Sequence, residues 1–175
     1  MFTRRRIWAP LATAVVALAT FTVHAEDLTF VAALNGAAQL PEPTGSKATG
    51  ECVLVVHEDG KKITYKLSVT DLVNPSGADI HLGGPNMNGQ SVVKLFPIHG
   101  ATAKKGPYTG VLAEGTITAA DLAGSMQGSP LADLVDELKA GNAYVNVHTN
   151  DGVDPPNSGT GDFRLGEIRG QFAAK

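Results

Sequence analysis

The chain has 175 residues, a formal net charge of −3, a mean hydropathy of +0.01 and a single cysteine, Cys52. One cysteine excludes an intramolecular disulfide, and the acidic balance argues against nucleic acid or anionic lipid as a partner. No Gly-x-Ser-x-Gly elbow, phosphate-binding loop or zinc-protease helix is present, so hydrolase and nucleotide chemistry have no support.

The first 25 residues read as an export leader. Arg4-Arg5-Arg6 is a positive n-region, Ile7 to Val23 is mostly apolar, and Val23-His24-Ala25 places small or apolar residues at the −3 and −1 positions of a signal peptidase site. Cleavage is expected after Ala25, which sends the protein to the periplasm or outside the cell with no membrane attachment. The alternative is an uncleaved N-terminal anchor. A lipid anchor would need a cysteine just after the apolar segment, and Cys52 is too far along. Removing residues 1–25 leaves 150 residues with a net charge of −6, expected to form one domain, 26–175, that buries about 68–70% of its unfolded surface. Nothing in the pattern specifies an oligomeric state.

Along the rest of the chain apolar residues recur with period two between Gly, Pro, Asn and Asp clusters, the pattern of short antiparallel strands. Leu28–Leu34 opens the series. Glu51–His57 and Lys62–Thr70 flank Asp59-Gly60, a favoured pair for a tight hairpin turn. Cys52 alternates with Leu54 and Val56, as a small buried hydrophobe does; a reactive or metal-binding thiol is the rival reading. Further strands are expected at Ala78–Leu82, Ser91–Phe96, Tyr108–Ile117, Ala143–Thr149 and Gly166–Phe172.

Two helical segments interrupt the strands. Thr118 to Asp121 forms a capping box opening one turn. Ser129 then provides an N-cap, Pro130 a first-turn proline, and Leu131, Leu134, Val135 and Leu138 an apolar stripe, with Gly141 closing the helix. The expected fold is therefore all-β: an antiparallel β-sandwich or flattened Greek-key barrel with one or two short helices inserted.

The residues that can carry chemistry lie on the wet faces of these strands. On Ala143–Thr149 the side chains of Tyr144, Asn146 and His148 point away from Val145 and Val147, and Asp79 and His81 face away from Ile80 and Leu82. If the two strands lie close, these residues form a cluster able to bind a ligand. Asp79, His81 and His148 would then suit a zinc or copper ion, since imidazole and carboxylate are its usual ligands. The competing reading is structural, with the histidines hydrogen-bonding loop backbone and Asp79 accepting a ring proton. Arg169 is expected to form a structural ion pair on the C-terminal strand, or else to grip a ligand. His57 and His99 look like surface residues. Asp151, Asp154 and Asp162 offer oxygen ligands for calcium, but their spacing does not match the twelve-residue calcium loop, and a solvated surface loop is favoured.

Three islands, Ala78-Asp-Ile-His-Leu-Gly83, Tyr144-Val-Asn-Val-His-Thr149 and Gly166-Glu-Ile-Arg-Gly-Gln171, follow an opening at Leu34-Asn-Gly-Ala-Ala-Gln-Leu-Pro41. Together they resemble the CHRD family, the extracellular domain repeated in chordin and found singly in secreted microbial proteins. Two departures stand out: Asp79 replaces the first histidine of a His-x-His pair, and the 150–165 connection is longer than usual. The resemblance implies a compact antiparallel β structure and a secreted, non-catalytic binding or surface-associated module of unassigned ligand. Asp79, His81, Tyr144, Asn146, His148 and Arg169 are the binding residues expected from their placement on the strands. An extracytoplasmic copper- or zinc-binding protein is the second reading. A superoxide-dismutase-like oxidoreductase is a third, by analogy of fold alone.

Overall fold

A computed structural model describes residues 27–57, 60–96, 104–153 and 155–175. The leader, Glu58-Asp59, His99 and Asp154 lie outside the described residues. The strands are β1 (Leu28–Asn35), β2 (Thr49–Val56), β3 (Ile63–Val73), β4 (Pro75–Leu82), β5 (Ser91–Phe96), β6 (Pro107–Ile117), β7 (Ala143–Thr149), β8 (Ile168–Gln171) and β9 (Ala173–Ala174), with one helix, α1 (Leu131–Lys139). All pairings are antiparallel in the order β5-β4-β7-β8-β1-β2-β3-β6, with β9 beside β1. The sheet curls until its ends approach, and Tyr65 of β3 donates its hydroxyl to Leu95 O of β5 at 2.9 Å. The expected all-β fold is thus a nearly closed barrel.

Its interior follows directly from the period-two pattern. Cys52, Leu54 and Val56 of β2 face Leu67, Tyr65 and Ile63 of β3, and all but Tyr65 are buried. Ala78 and Ile80 of β4 oppose Val147 and Val145 of β7, each fully buried. Burying an aliphatic side chain of this size stabilises by about 1.5–3 kcal/mol. Cys52 is an inert part of this core, because burial, with a smaller contribution from the Glu51 charge, pushes its thiol up to about 12.

The β2–β3 turn uses Gly60 at φ 63°, whose N–H donates to His57 O at 2.8 Å. At the first helical segment, Thr118 N–H donates to Asp121 Oδ2 at 2.8 Å, the return bond of a capping box, and the Thr118 hydroxyl donates to the same oxygen at 2.8 Å. In α1 the predicted stripe of Leu131, Leu134, Val135 and Leu138 is buried. The N-cap, however, is Pro130 rather than Ser129. Pro130 keeps an extended ψ of 150°, which delays the helix by one residue and leaves no side-chain cap. Gly141, at φ 72°, ends the helix as expected.

Candidate metal centre

The face of β4, β7 and β8 turned away from the core carries polar rows. Register sets Asp79 beside Asn146 and Asn146 beside Arg169, then His81 beside Tyr144 and Tyr144 beside Gln171. His148 pairs with Gly77, which has no side chain to block the diagonal reach of the imidazole toward Asp79. On β4 the pairing with β5 shifts between Ala78 and Asp79 and again between Ile80 and His81. Such irregularities re-aim side chains, and here they flank both site residues of the strand.

Asp79 Oδ1 stands 2.9 Å from His81 Nε2 and 3.0 Å from His148 Nε2. The three side chains can offer ligand atoms that all lie within 4.8 Å of one another. The other ring nitrogen of each histidine meets a carbonyl: His81 Nδ1 donates to Gly89 O at 2.8 Å and His148 Nδ1 to Arg164 O at 2.9 Å. A carbonyl only accepts, so each Nδ1 carries the proton. In the neutral ring Nε2 is then a bare lone pair, and two such lone pairs face one carboxylate oxygen. That arrangement calls for a cation: a second proton on each ring, or a metal ion among all three atoms.

The electrostatics agree. Burial works to raise the Asp79 carboxyl, but hydrogen bonds from His148 and His81 outweigh it and hold the group well below the usual carboxylate range. Burial likewise works to lower His81, yet the hydrogen bond and charge of Asp79 leave it above its ordinary value. A tetrahedral ion with bonds of about 2.0–2.1 Å spaces its ligands about 3.3 Å apart, so to admit one the two Asp79–histidine separations of 2.9 and 3.0 Å would widen by a few tenths of an ångström while ligand atoms as much as 4.8 Å apart would draw together. Both imidazoles keep 14% of their side-chain surface exposed, against 5% for Asp79, so the cluster is reachable from solvent.

Tyr144, Asn146 and Arg169 surround this centre without joining it. The Tyr144 ring stacks on His81 with centroids 4.9 Å apart, and its hydroxyl accepts Gly89 N–H at 3.1 Å. Asn146 accepts from Gln39 Nε2 at 2.6 Å and donates to Leu165 O at 3.0 Å. Arg169 is 2% exposed and corrects the expectation of an ion pair. Its guanidinium donates to Asn88 Oδ1 at 2.8 Å, Met87 O at 2.8 Å and Gly84 O at 3.1 Å, and lies 3.6 Å from the Tyr144 ring centroid. Glu167 shares its face but turns to other partners: Ser46 Oγ at 2.6 Å, Thr149 Oγ1 at 2.6 Å and Gly161 N–H at 2.8 Å. Each charge reaches a different loop, which is why they do not pair.

His57 contacts Thr64 at 3.3 Å and Asp27 at 3.6 Å, away from the centre. In the long connection Asp162 Oδ2 accepts from the backbone and hydroxyl of Ser158, and Asp151 Oδ1 from Val153 N–H. Among the described residues these aspartates therefore serve the turns of the loop. Sequence reasoning missed Gln39 and Glu167 as buried partners and the carbonyls of Gly89 and Arg164. Gln39 and Glu167 sit inside quoted motifs, but the two carbonyls lie in connections with no side-chain signal.

Residues 30–154 match the CHRD domain model, a stretch that includes the opening motif and the first two islands and ends before Gly166. No curated protein matches the chain.

Proposed function

The chain belongs to the CHRD domain family, and on that premise we propose that it is an exported, non-catalytic binding module whose ligand is a divalent zinc or copper ion held by Asp79, His81 and His148. One observation carries this reading: both Nδ1 atoms are committed to carbonyls, so both Nε2 lone pairs converge on a single carboxylate oxygen. Histidines that bind metals usually donate their other ring N–H to just such a carbonyl. A purely structural histidine–aspartate contact does not need the second histidine aimed at the same atom.

Two imidazoles and a carboxylate suit zinc or copper(II) better than calcium or magnesium, which prefer oxygen alone. Three protein ligands leave a coordination position open, whereas structural zinc sites close all four. An open position facing solvent fits a module that takes up and releases its ion, or that holds it against an incoming group. Export fits the same reading, since the leader expected at residues 1–25 would deliver the site to a compartment where free metal is encountered.

The test is metal content by mass spectrometry, on tag-free protein incubated with zinc or copper(II) and desalted. About one equivalent retained by the wild type and lost in both His81→Ala and His148→Ala supports the proposal. No retained metal, with both variants merely less stable, overturns it and leaves the histidines structural.

A further inference from the structure

Strand β8 and the residue just before it carry two buried charges of opposite sign, Arg169 at 2% and Glu167 at 0% exposure, not paired with each other. Burying a charge without a counter-charge is costly, and among the described residues each is held by neutral hydrogen-bonding groups. Each also holds a loop, and each loop presents one carbonyl to one histidine. We propose that Arg169 and Glu167 are positioning residues that separately set the proton position on His81 and His148, keeping each Nε2 free for the ion. The purpose of this device rests on the metal reading, while the geometry and its test do not.

The first branch runs from Arg169 to the 83–90 loop. The guanidinium binds Gly84 O, Met87 O and Asn88 Oδ1, and the next residue, Gly89, gives its carbonyl to His81 Nδ1. Gly89 N–H is fixed in turn by the Tyr144 hydroxyl, over whose ring the guanidinium lies. The loop approaches β4 so closely that a Cβ at Gly89 would fall 1.5 Å from Leu82 O.

The second branch runs from Glu167 to the 157–166 segment. Its carboxylate accepts Gly161 N–H and the Thr149 hydroxyl, and Thr149 Oγ1 accepts Phe163 N–H at 2.8 Å. Phe163 O receives the N–H groups of Thr149 and Gly166 at 3.1 Å each. Between them Arg164 O meets His148 Nδ1. Here too a glycine permits the approach, since a Cβ at Gly166 would come within 2.3 Å of Asn146 Oδ1.

Without those carbonyls the rings would gain by moving the proton to Nε2 and donating it to Asp79, which would satisfy the carboxylate and obstruct the ion. The two loops pull the proton the other way. A charge on each strand-side anchor makes its hydrogen bonds shorter and stronger than neutral ones, so the loops keep their register.

The discriminating experiment is nitrogen-15 imidazole NMR on metal-free protein at a pH where the rings are neutral. The wild type is expected to show both histidines protonated at Nδ1. Arg169→Gln is expected to shift His81 toward the Nε2–H form and leave His148 unchanged; Glu167→Gln should do the reverse; and Arg169→Lys should restore His81 only in part. Zinc affinity, read by chelator competition, is expected to fall about 10–100-fold in each. If a variant fails to fold, Asn88→Ala and Thr149→Val cut the same two branches at their next link. Unchanged ring protonation in folded variants, or both histidines changing together in every variant, overturns the proposal. A wild type that holds no zinc but shows the selective ring shifts refutes the metal reading and leaves the positioning roles standing.

Discussion

The β2–β3 hairpin and the β4–β7 pair obey the same alternation and end in opposite environments. In the hairpin, Cys52, Leu54, Ile63 and Leu67 fill the barrel, while the outward side chains of Glu51 and Lys66 are exposed to water. Across β4 and β7 the inward residues are just as apolar, yet the outward ones, Asp79, Tyr144 and Asn146, are buried too. The difference lies in the loops. Segments 83–90 and 157–166 and the side chain of Gln39 fold over the second face and bond to its polar groups. A hydrogen-bonding group buried without a partner costs about 1–3 kcal/mol, so a sheet face this polar persists only when every loop contact is in place. One face supplies stability, and the other trades some of it for a cluster of imidazoles around a carboxylate.

This contrast can be broken from either side. The largest stability effect is expected at the shared core: Leu54→Ala should cost about 2–5 kcal/mol in chemical denaturation while the folded fraction keeps its zinc affinity. Next comes Arg169→Ala, which leaves Asn88 Oδ1 and two carbonyls without their donor; a loss of about 3 kcal/mol is expected, together with weakened zinc binding. A stability loss with unchanged zinc affinity would separate the loops from the site. At the outward face of the hairpin, Lys66→Ala should change stability by less than about 0.5 kcal/mol and binding not at all.

The pH response sharpens the same division. The Asp79 carboxyl is held below the ordinary aspartate value of 3.8, so its stabilising contribution is present above that value and lost as pH falls through the folded one. The His81 imidazole is held above 6.5, so its contribution is complete below 6.5 and lost as pH rises through the folded value. Metal-free protein should therefore lose this contribution on going from mildly acidic to alkaline pH. Zinc requires unprotonated rings, so the stabilisation it adds should grow over the same range. Thermal melts with and without zinc between about pH 5.5 and 8.5 are expected to diverge as pH rises. A constant gap would mean that the imidazoles do not bind the ion.

Much of the barrel was legible because apolar residues recur in short runs between turn signals: β1, β5 and β7 fall where the pattern places them, and the leucine spacing of α1 is a one-sided helical stripe. The short β9 carried no signal, since Ala173-Ala174 has no period to read. The pairing of Asp79 and His81 with the strand of His148 was legible only as a condition, since sequence shows which face a side chain takes but not which strands become neighbours. Arg169 was misread for a related reason. Its partners are backbone carbonyls of the 83–90 loop, and backbone acceptors leave no trace in residue identity. Glu167 is the nearest carboxylate in sequence, but it is filled by two hydroxyls and an amide from segments far along the chain or across the loop.

The most direct measurement is anomalous diffraction at the zinc edge from crystals of tag-free protein soaked with zinc. A single peak about 2.0–2.1 Å from Nε2 of both His81 and His148 and bonded to Asp79, with Gly89 O and Arg164 O still on the two Nδ1 atoms, is the predicted result. No peak at this cluster under saturating zinc, or one bonded through Nδ1, would contradict the account.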